Sequence, residues 1–277
     1  TLTLISTWLI GEWFEHRRGL ATGLIGLGGT LSVMSVPQIN DISPHDGISI
    51  IHKSGWWAGL RNDILLNRPR ILEGIPMKLR FSPLSPYVRK VSVTLIETGL
   101  EDRVENILTN VWDPETDIAD NNPLGKVPAL ILDDGQVLYD SHVICEYLDS
   151  LHDGDKLFPQ PGPARWQALR LHALGDGITD AGILTLLEGR RPEEFKYEKW
   201  IQRQTAAMLR GMDALENDLE NLDAGFGIGQ ICVACSLGWL DFRFPDLGWR
   251  ADHPGLADWL EGASERPSMM QTVPKES

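Results

Sequence analysis

Cysteine is scarce in this chain, with three in 277 residues. That is too few for a disulfide framework and makes a reducing, cytoplasmic compartment the expectation. Basic residues are short as well: 25 Lys+Arg stand against 39 Asp+Glu, a formal charge of −14. The balance argues against nucleic acid or an anionic membrane as the main partner, because both select basic surfaces. Phosphate-binding loops are absent. Gly26-Leu-Gly28-Gly29-Thr30-Leu31 lacks the third glycine of a dinucleotide loop, and no Lys follows it. No secretory leader is read either, since Arg17-Arg18 follows an apolar run instead of leading one. What is present is globular in composition, 42% apolar and 23% charged, and long enough for one large domain or two ordinary ones.

The charge is unevenly spread. Residues 1–75 carry six basic and six acidic residues, so the whole −14 falls after them. Residues 19–40 contain no charge at all, close to the ~20 residues that cross a bilayer as a helix, and Gly19-x-x-x-Gly23 would admit a neighbouring helix. The string WFEHRRGLATGLIGLGG resembles the cytoplasmic turn between two membrane helices of major-facilitator transporters of the monocarboxylate type. Two readings of residues 1–40 stand: a segment that brings membrane association, or a passenger joined by the reading frame. Residues 41–75 show no periodic segment and read as a linker.

From Met77 the pattern becomes regular. Leu79 and Phe81 alternate with Lys78 and Arg80 as in a strand. Ser85-Pro86 then opens a helix with Val88, Val91 and Leu95 on its buried stripe and Gly99 placed to end it. Val104–Leu108 suits a second strand, and 114–120 a short helix or turn. Val127–Leu132 and Gln136–Tyr139 read as two strands about the turn Asp133-Asp134-Gly135. Asp140-Ser141 caps a helix bearing Ile144, Tyr147, Leu148 and Leu151. The order β-α-β-α-β-β-α over residues 76–152 predicts a thioredoxin-like domain. Residues 160–277 read as an all-α domain, with Ile201, Met208, Met212, Leu215, Leu219 and Leu222 as one sustained stripe.

Three places carry candidate chemistry. At Ser85, helix amides point outward and favour an anion by ~0.3–1 kcal/mol when exposed; a plain N-cap serine is the competing reading. Val127-Pro128 opens a strand with an X-Pro bond, where a cis form would expose the Val127 backbone to a peptide-like ligand; an ordinary loop competes. Asp140-Ser141 offers a second helix start able to hold a carboxylate, or again a simple cap. Cys232-x-x-Cys235 sits in an apolar run with no second ligand pair, so core packing is preferred to zinc, and Cys145 is read the same way. The seven histidines show no metal spacing, and no metal is expected. His142 reads as a surface residue. Trp166 and His172 are divided between lining a ligand pocket and packing.

SPLSPYVRK, NPLGKVPAL, YDSHVICEYL and GQICVACSLGWLDFRFPDLGW followed by RPSM together resemble the glutathione transferase family, in its order and spacing, over about residues 77–273. The resemblance implies glutathione as co-substrate, a small hydrophobic electrophile, a homodimer and a detoxifying conjugation. It implies Ser85 as the thiol activator, and Ser85, Lys126, Val127, Pro128, Asp140 and Ser141 as the glutathione-binding residues, Pro128 being the cis-proline. With Ser at Ser85 and Val at Val88, where a glutaredoxin has cysteines, conjugation is implied and dithiol exchange is not. One departure is Gly227-Ile-Gly-Gln230, where the family has Ser/Thr and Asp; the cap is expected to be weaker by a few tenths of a kcal/mol.

Overall fold

The computed structural model describes residues 77–275. The transporter-like reading of residues 1–40 and the linker reading of residues 41–75 lie outside the described residues. Among those described, no helix is long and apolar enough to cross a membrane.

The first half is built on four strands: β1 (Met77–Phe81), β2 (Val104–Leu108), β3 (Ala129–Ile131) and β4 (Val137–Leu138). Their order in the sheet is β2-β1-β3-β4, with β2 parallel to β1 and both later pairs antiparallel. The parallel pair is made possible by the crossover helix α1 (Pro86–Thr98). Between β2 and β3 stands a single-turn helix, α2 (Ile118–Asn121), and after β4 comes α3 (Ser141–Ser150). This is the thioredoxin-like order expected from the sequence. The two hairpin strands are shorter than expected, because Val127 and Pro128 stay outside the ladder, which starts at the pair Arg80–Ala129.

α1 begins and ends for local reasons. Ser85 is extended and caps it, Pro86 fills the first position, and Gly99 at φ 65° closes it in the left-handed region. Its capping bonds run from the Leu100 amide to the Leu95 carbonyl (2.8 Å) and from Gly99 to Ile96 (3.1 Å).

The helical half comprises α4 (Pro163–Gly189), α5 (Glu198–Glu216), α6 (Leu219–Leu222), α7 (Ile228–Arg243), α8 (Trp249–Asp252), α9 (Pro254–Ser264) and α10 (Pro267–Gln271). The stripe read as one helix from Ile201 to Leu222 is divided between α5 and α6, because the chain turns at Asn217 and Asp218. Met208, Met212, Leu215 and Leu222 are nonetheless fully buried. α7 is apolar nearly all round, as a helix at the centre of an all-α domain must be. One apolar cluster runs through both halves, from Leu79, Val91 and Ile144 to Met208, Ile231 and Leu260. Each such side chain contributes roughly 1.5–3 kcal/mol on burial.

Candidate functional site

All three places singled out in the sequence lie at one end of the sheet. β1 leaves the sheet at Phe81 toward Ser85, β3 enters it beside Arg80, and β4 runs antiparallel to β3 and leads into Asp140. Two helix N-termini, those of α1 and α3, therefore flank the start of β3.

At α1, the Ser85 Oγ accepts the Val88 amide at 3.3 Å. A hydroxyl has one proton to donate and two lone pairs, so capping leaves the Ser85 proton available to an acceptor in front of the helix. The loop is fixed from behind, where the Trp239 indole Nε1 donates to the Leu84 carbonyl at 3.2 Å. At α3, Asp140 Oδ1 accepts the His142 amide at 3.0 Å, and Ser141 is buried at the first helical position. Ser85 and Asp140 thus act as caps, and each keeps further hydrogen-bonding capacity.

Between them the Val127–Pro128 bond is cis, Pro128 is buried and Lys126 exposed. The preceding loop is shaped by Asn122, which is buried. Its Nδ2 donates to the Lys126 carbonyl at 2.8 Å and its Oδ1 accepts the Leu124 amide at 3.0 Å. Arg80, also buried, spans from β1 to Thr109 (2.9 Å), Asn121 (2.8 Å) and Asp117. Its guanidinium holds the Asp117 carboxyl below the usual carboxylate range. The sequence reading gave no role of its own to Asn122, the first residue of NPLGKVPAL, or to Arg80.

Behind the Ser85 terminus lies a polar cluster that the sequence reading missed. The Lys90 ammonium, 1% exposed, reaches Asp176 Oδ1 and Oδ2 at 2.7 and 2.9 Å and His172 Nε2 at 3.0 Å. The Cys232 sulfur lies 3.9 Å from it. Nearby, the Tyr87 hydroxyl donates to Asp180. Gly175 is what lets α7 come so close, since a Cβ there would stand 2.9 Å from Cys232 Sγ. The available signal was the spacing of His172, Asp176 and Asp180, four residues apart along one stripe of α4.

Burial opposes the Lys90 charge, yet the Cys232 sulfur and the Asp176 carboxylate hold its pKa above the ordinary lysine value. Burial, followed by the Lys90 charge, pushes His172 down to about 4, so it is neutral at pH 7. Burial pushes the Cys145 thiol up to about 12, Cys235 up to about 11 and Cys232 well up. All three are free and buried. His172, Asp176 and Cys232 are metal-ligating residue types with ligand atoms within 4.8 Å of one another. The Lys90 ammonium stands among them, so the chain supplies the cation itself.

Two sequence readings gain detail. The His142 side chain is 37% exposed, as a surface residue's is, but it also packs inward, stacked on Phe158 at 5.7 Å and tilted against His172 at 4.4 Å between ring centroids. Of the pair divided between pocket and packing, His172 is buried and Trp166 is 71% exposed.

Residues 84–151 match the family profile described as glutathione S-transferase, N-terminal domain, and residues 198–262 match that of glutathione S-transferase, C-terminal domain. The uncharacterized GST-like protein YibF of Escherichia coli is 33% identical over 201 residues, covering 72% of this chain and 98% of that protein. A crystal structure of a glutathione transferase family member from Pseudomonas fluorescens Pf-5 with bound glutathione is 48% identical at a TM-score of 0.70, covering 72% of this chain and all of that one. A second crystal structure of a family member from that strain, also 48% identical and with the same coverage, holds S-(propanoic acid)-glutathione at a TM-score of 0.67.

Proposed function

The chain belongs to the glutathione S-transferase family, and from that premise we propose that it joins the glutathione sulfur to a small hydrophobic electrophile, with Ser85 activating the thiol. The observation that carries this reading is the single sheet end at which a capped helix start, a cis-proline and a second capped helix start meet. In this reading the tripeptide lies across them. The Val127 backbone, outside the ladder, pairs with the cysteinyl unit. Asp140 and Ser141 take the γ-glutamyl end, using the Asp140 oxygen left over from capping. Lys126 places a positive charge beside an anionic peptide.

The chemistry follows from the same geometry. A cysteine thiol has a pKa near ~8.5. The Ser85 proton and the first-turn amides of α1 both stabilise the sulfur as thiolate, and lowering its pKa by about two units requires only ~2.7 kcal/mol. The thiolate attacks an electrophilic carbon held beside it; the C–S bond forms as a leaving group departs or as an activated double bond takes up a proton. Thioether formation is also the chemistry of the adduct named for the Pseudomonas protein. Dithiol exchange has no cysteine to run on at Ser85 or Val88. The reading includes a homodimer, for which Val143 and Trp166, 46% and 71% exposed, are apolar surface to cover.

The test is conjugation across an electrophile panel with wild type and Ser85→Ala. Turnover is expected to fall at least tenfold at pH 7, about 1.4 kcal/mol in the barrier. Undiminished glutathione-dependent turnover in Ser85→Ala would remove the mechanism. Glutathione binding with no turnover on any electrophile would leave a binding module.

A further inference from the structure

The two helices whose starts form the candidate site are not held to the helical half in the same way, yet one side chain touches both. His172, on α4, accepts Lys90 of α1 at 3.0 Å and packs its ring against His142 of α3 at 4.4 Å. Lys90 lies five residues beyond Ser85, and His142 directly follows Ser141. We propose that His172 is a positioning residue: through Lys90 it fixes α1 and through His142 it fixes α3, and so it sets the distance between the Ser85 and Asp140–Ser141 ends of the glutathione site.

The bonding is saturated in a way that leaves little play. An ammonium has three protons, and Lys90 Nζ has three near acceptors: both Asp176 oxygens and His172 Nε2. Nε2 facing an ammonium must present its lone pair, so the ring proton sits on Nδ1, which is 3.5 Å from Asp176 Oδ2. The neutral form fits this place, in keeping with the depressed pKa of His172. The other groups around the cluster are Tyr87, whose ring centroid is 6.0 Å from Lys90 Nζ, and Cys232, whose sulfur is 3.3 Å from Asp176 Oδ1. Asp140 and the half-buried His142 complete it on the α3 side. A helix moves as a rod over one turn and a half, so a displaced Lys90 is a displaced Ser85. A ligand anchored at both ends feels that change, and misplacing its reacting group by about 1 Å costs on the order of a hundredfold in rate, whereas one that lacks the γ-glutamyl end can follow Ser85.

This proposal rests on the glutathione reading of the site, and the experiment separates the two. Glutathione is compared with cysteinylglycine, which keeps the thiol and the cysteinyl unit but lacks the γ-glutamyl end. Binding of each and kcat/KM with each are measured on the full chain for wild type, His172→Ala and His172→Gln. If His172 sets the spacing, His172→Ala loses at least tenfold in kcat/KM with glutathione and less than threefold with cysteinylglycine. The acid limb of its pH profile with glutathione also moves up. His172→Gln, which keeps an acceptor for Lys90 but loses the ring packed on His142, recovers part of the loss. Should His172→Ala fail to fold, His142→Ala cuts only the α3 side at a half-exposed position and is expected to show the same preference for loss with glutathione. Equal losses with both peptides, or none with either, would overturn the proposal while leaving the glutathione reading standing. Failure of wild type to bind glutathione would bring down that reading, and this proposal with it.

Discussion

α1 is buried by two kinds of contact. Val91, Val93 and Leu95 enter the apolar cluster, while Arg89 and Lys90, 7% and 1% exposed, are buried as charges. The apolar contacts are non-directional, roughly proportional to area, and adjust by small repacking. The charged ones are directional: Arg89 donates to the Met269 carbonyl at 3.2 Å, and Lys90 is bound on three sides. Apolar burial therefore places α1 against the rest of the protein, and the charges fix where its N-terminus points. Under the proposed function this difference matters at Ser85, because a donor stabilises a thiolate only when it is aimed at the sulfur.

The largest effect should come from breaking the charged side. Lys90→Met leaves the Asp176 carboxylate without its cation, and removing one partner of a buried pair costs about 3–5 kcal/mol. The cost is expected near the lower end, because the Asp176 side chain is 27% exposed. Val91→Ala, on the apolar side, should cost about 2 kcal/mol. The double change Lys90→Met with Asp176→Leu should recover most of the first loss, since neither charge is then left alone. Urea unfolding of the three variants measures this. If Lys90→Met costs less than Val91→Ala, the charges do not hold α1.

The second way to sharpen the comparison is pH. His172 has its folded pKa depressed to about 4, against an ordinary value near ~6.5. Between these values the unfolded chain binds a proton that the folded protein refuses, so stability rises with pH across this window. The contribution is fully present above ~6.5 and is lost as pH falls toward 4, roughly 3 kcal/mol in all. Lys90, Asp176, Cys232, His142 and Asp140 all face the imidazole or its neighbours. The informative quantity is therefore the difference between wild type and His172→Asn, not the absolute slope. Wild type should lose stability between pH 6.5 and 4.5 more steeply; parallel curves would mean that His172 is not held neutral.

The apolar side was legible in the sequence and the charged side was not. Val88, Val91 and Leu95 declared a helix, and the strand and turn signals around Asp133-Asp134-Gly135 gave a hairpin, because both rest on local periodicity and turn chemistry. Ser85, Pro128 and Asp140-Ser141 were readable for the same reason, as caps and a proline. Lys90 was not, because its partners lie 82 and 86 residues away. Within α1 it is one more charge in Arg89-Lys90, and charges on helices ordinarily face water. The packing of His142 on His172 was hidden likewise, because the two rings come from different helices. Long-range polar pairing leaves no periodic trace in α1, and on α4 it leaves only the stripe of His172, Asp176 and Asp180, which does not name its partner.

The smallest effect concerns a cap without a side chain. α1 and α3 start on Ser85 and Asp140, but α7 starts on Gly227, read in the sequence as a weakened cap. Gln230 Oε1 accepts the Gly227 amide at 3.2 Å, and the Leu157 carbonyl accepts the Ile228 amide at 3.0 Å. Leu157 is held in turn by Asp149, the penultimate residue of α3, whose Oδ1 accepts the Leu157 amide at 2.8 Å. The connecting backbone thus satisfies one first-turn amide, that of Ile228, and it crowds the place a serine would take: a Cβ on Gly227 would stand 2.9 Å from the Leu157 oxygen. Gly227→Ser would add a cap worth only a few tenths of a kcal/mol over Gly and would push on a backbone carbonyl, where overpacking costs ~1–3 kcal/mol. The net should be a loss of about 1 kcal/mol in urea unfolding. A gain would mean that the carbonyl yields and that the side-chain cap is the better partner for α7.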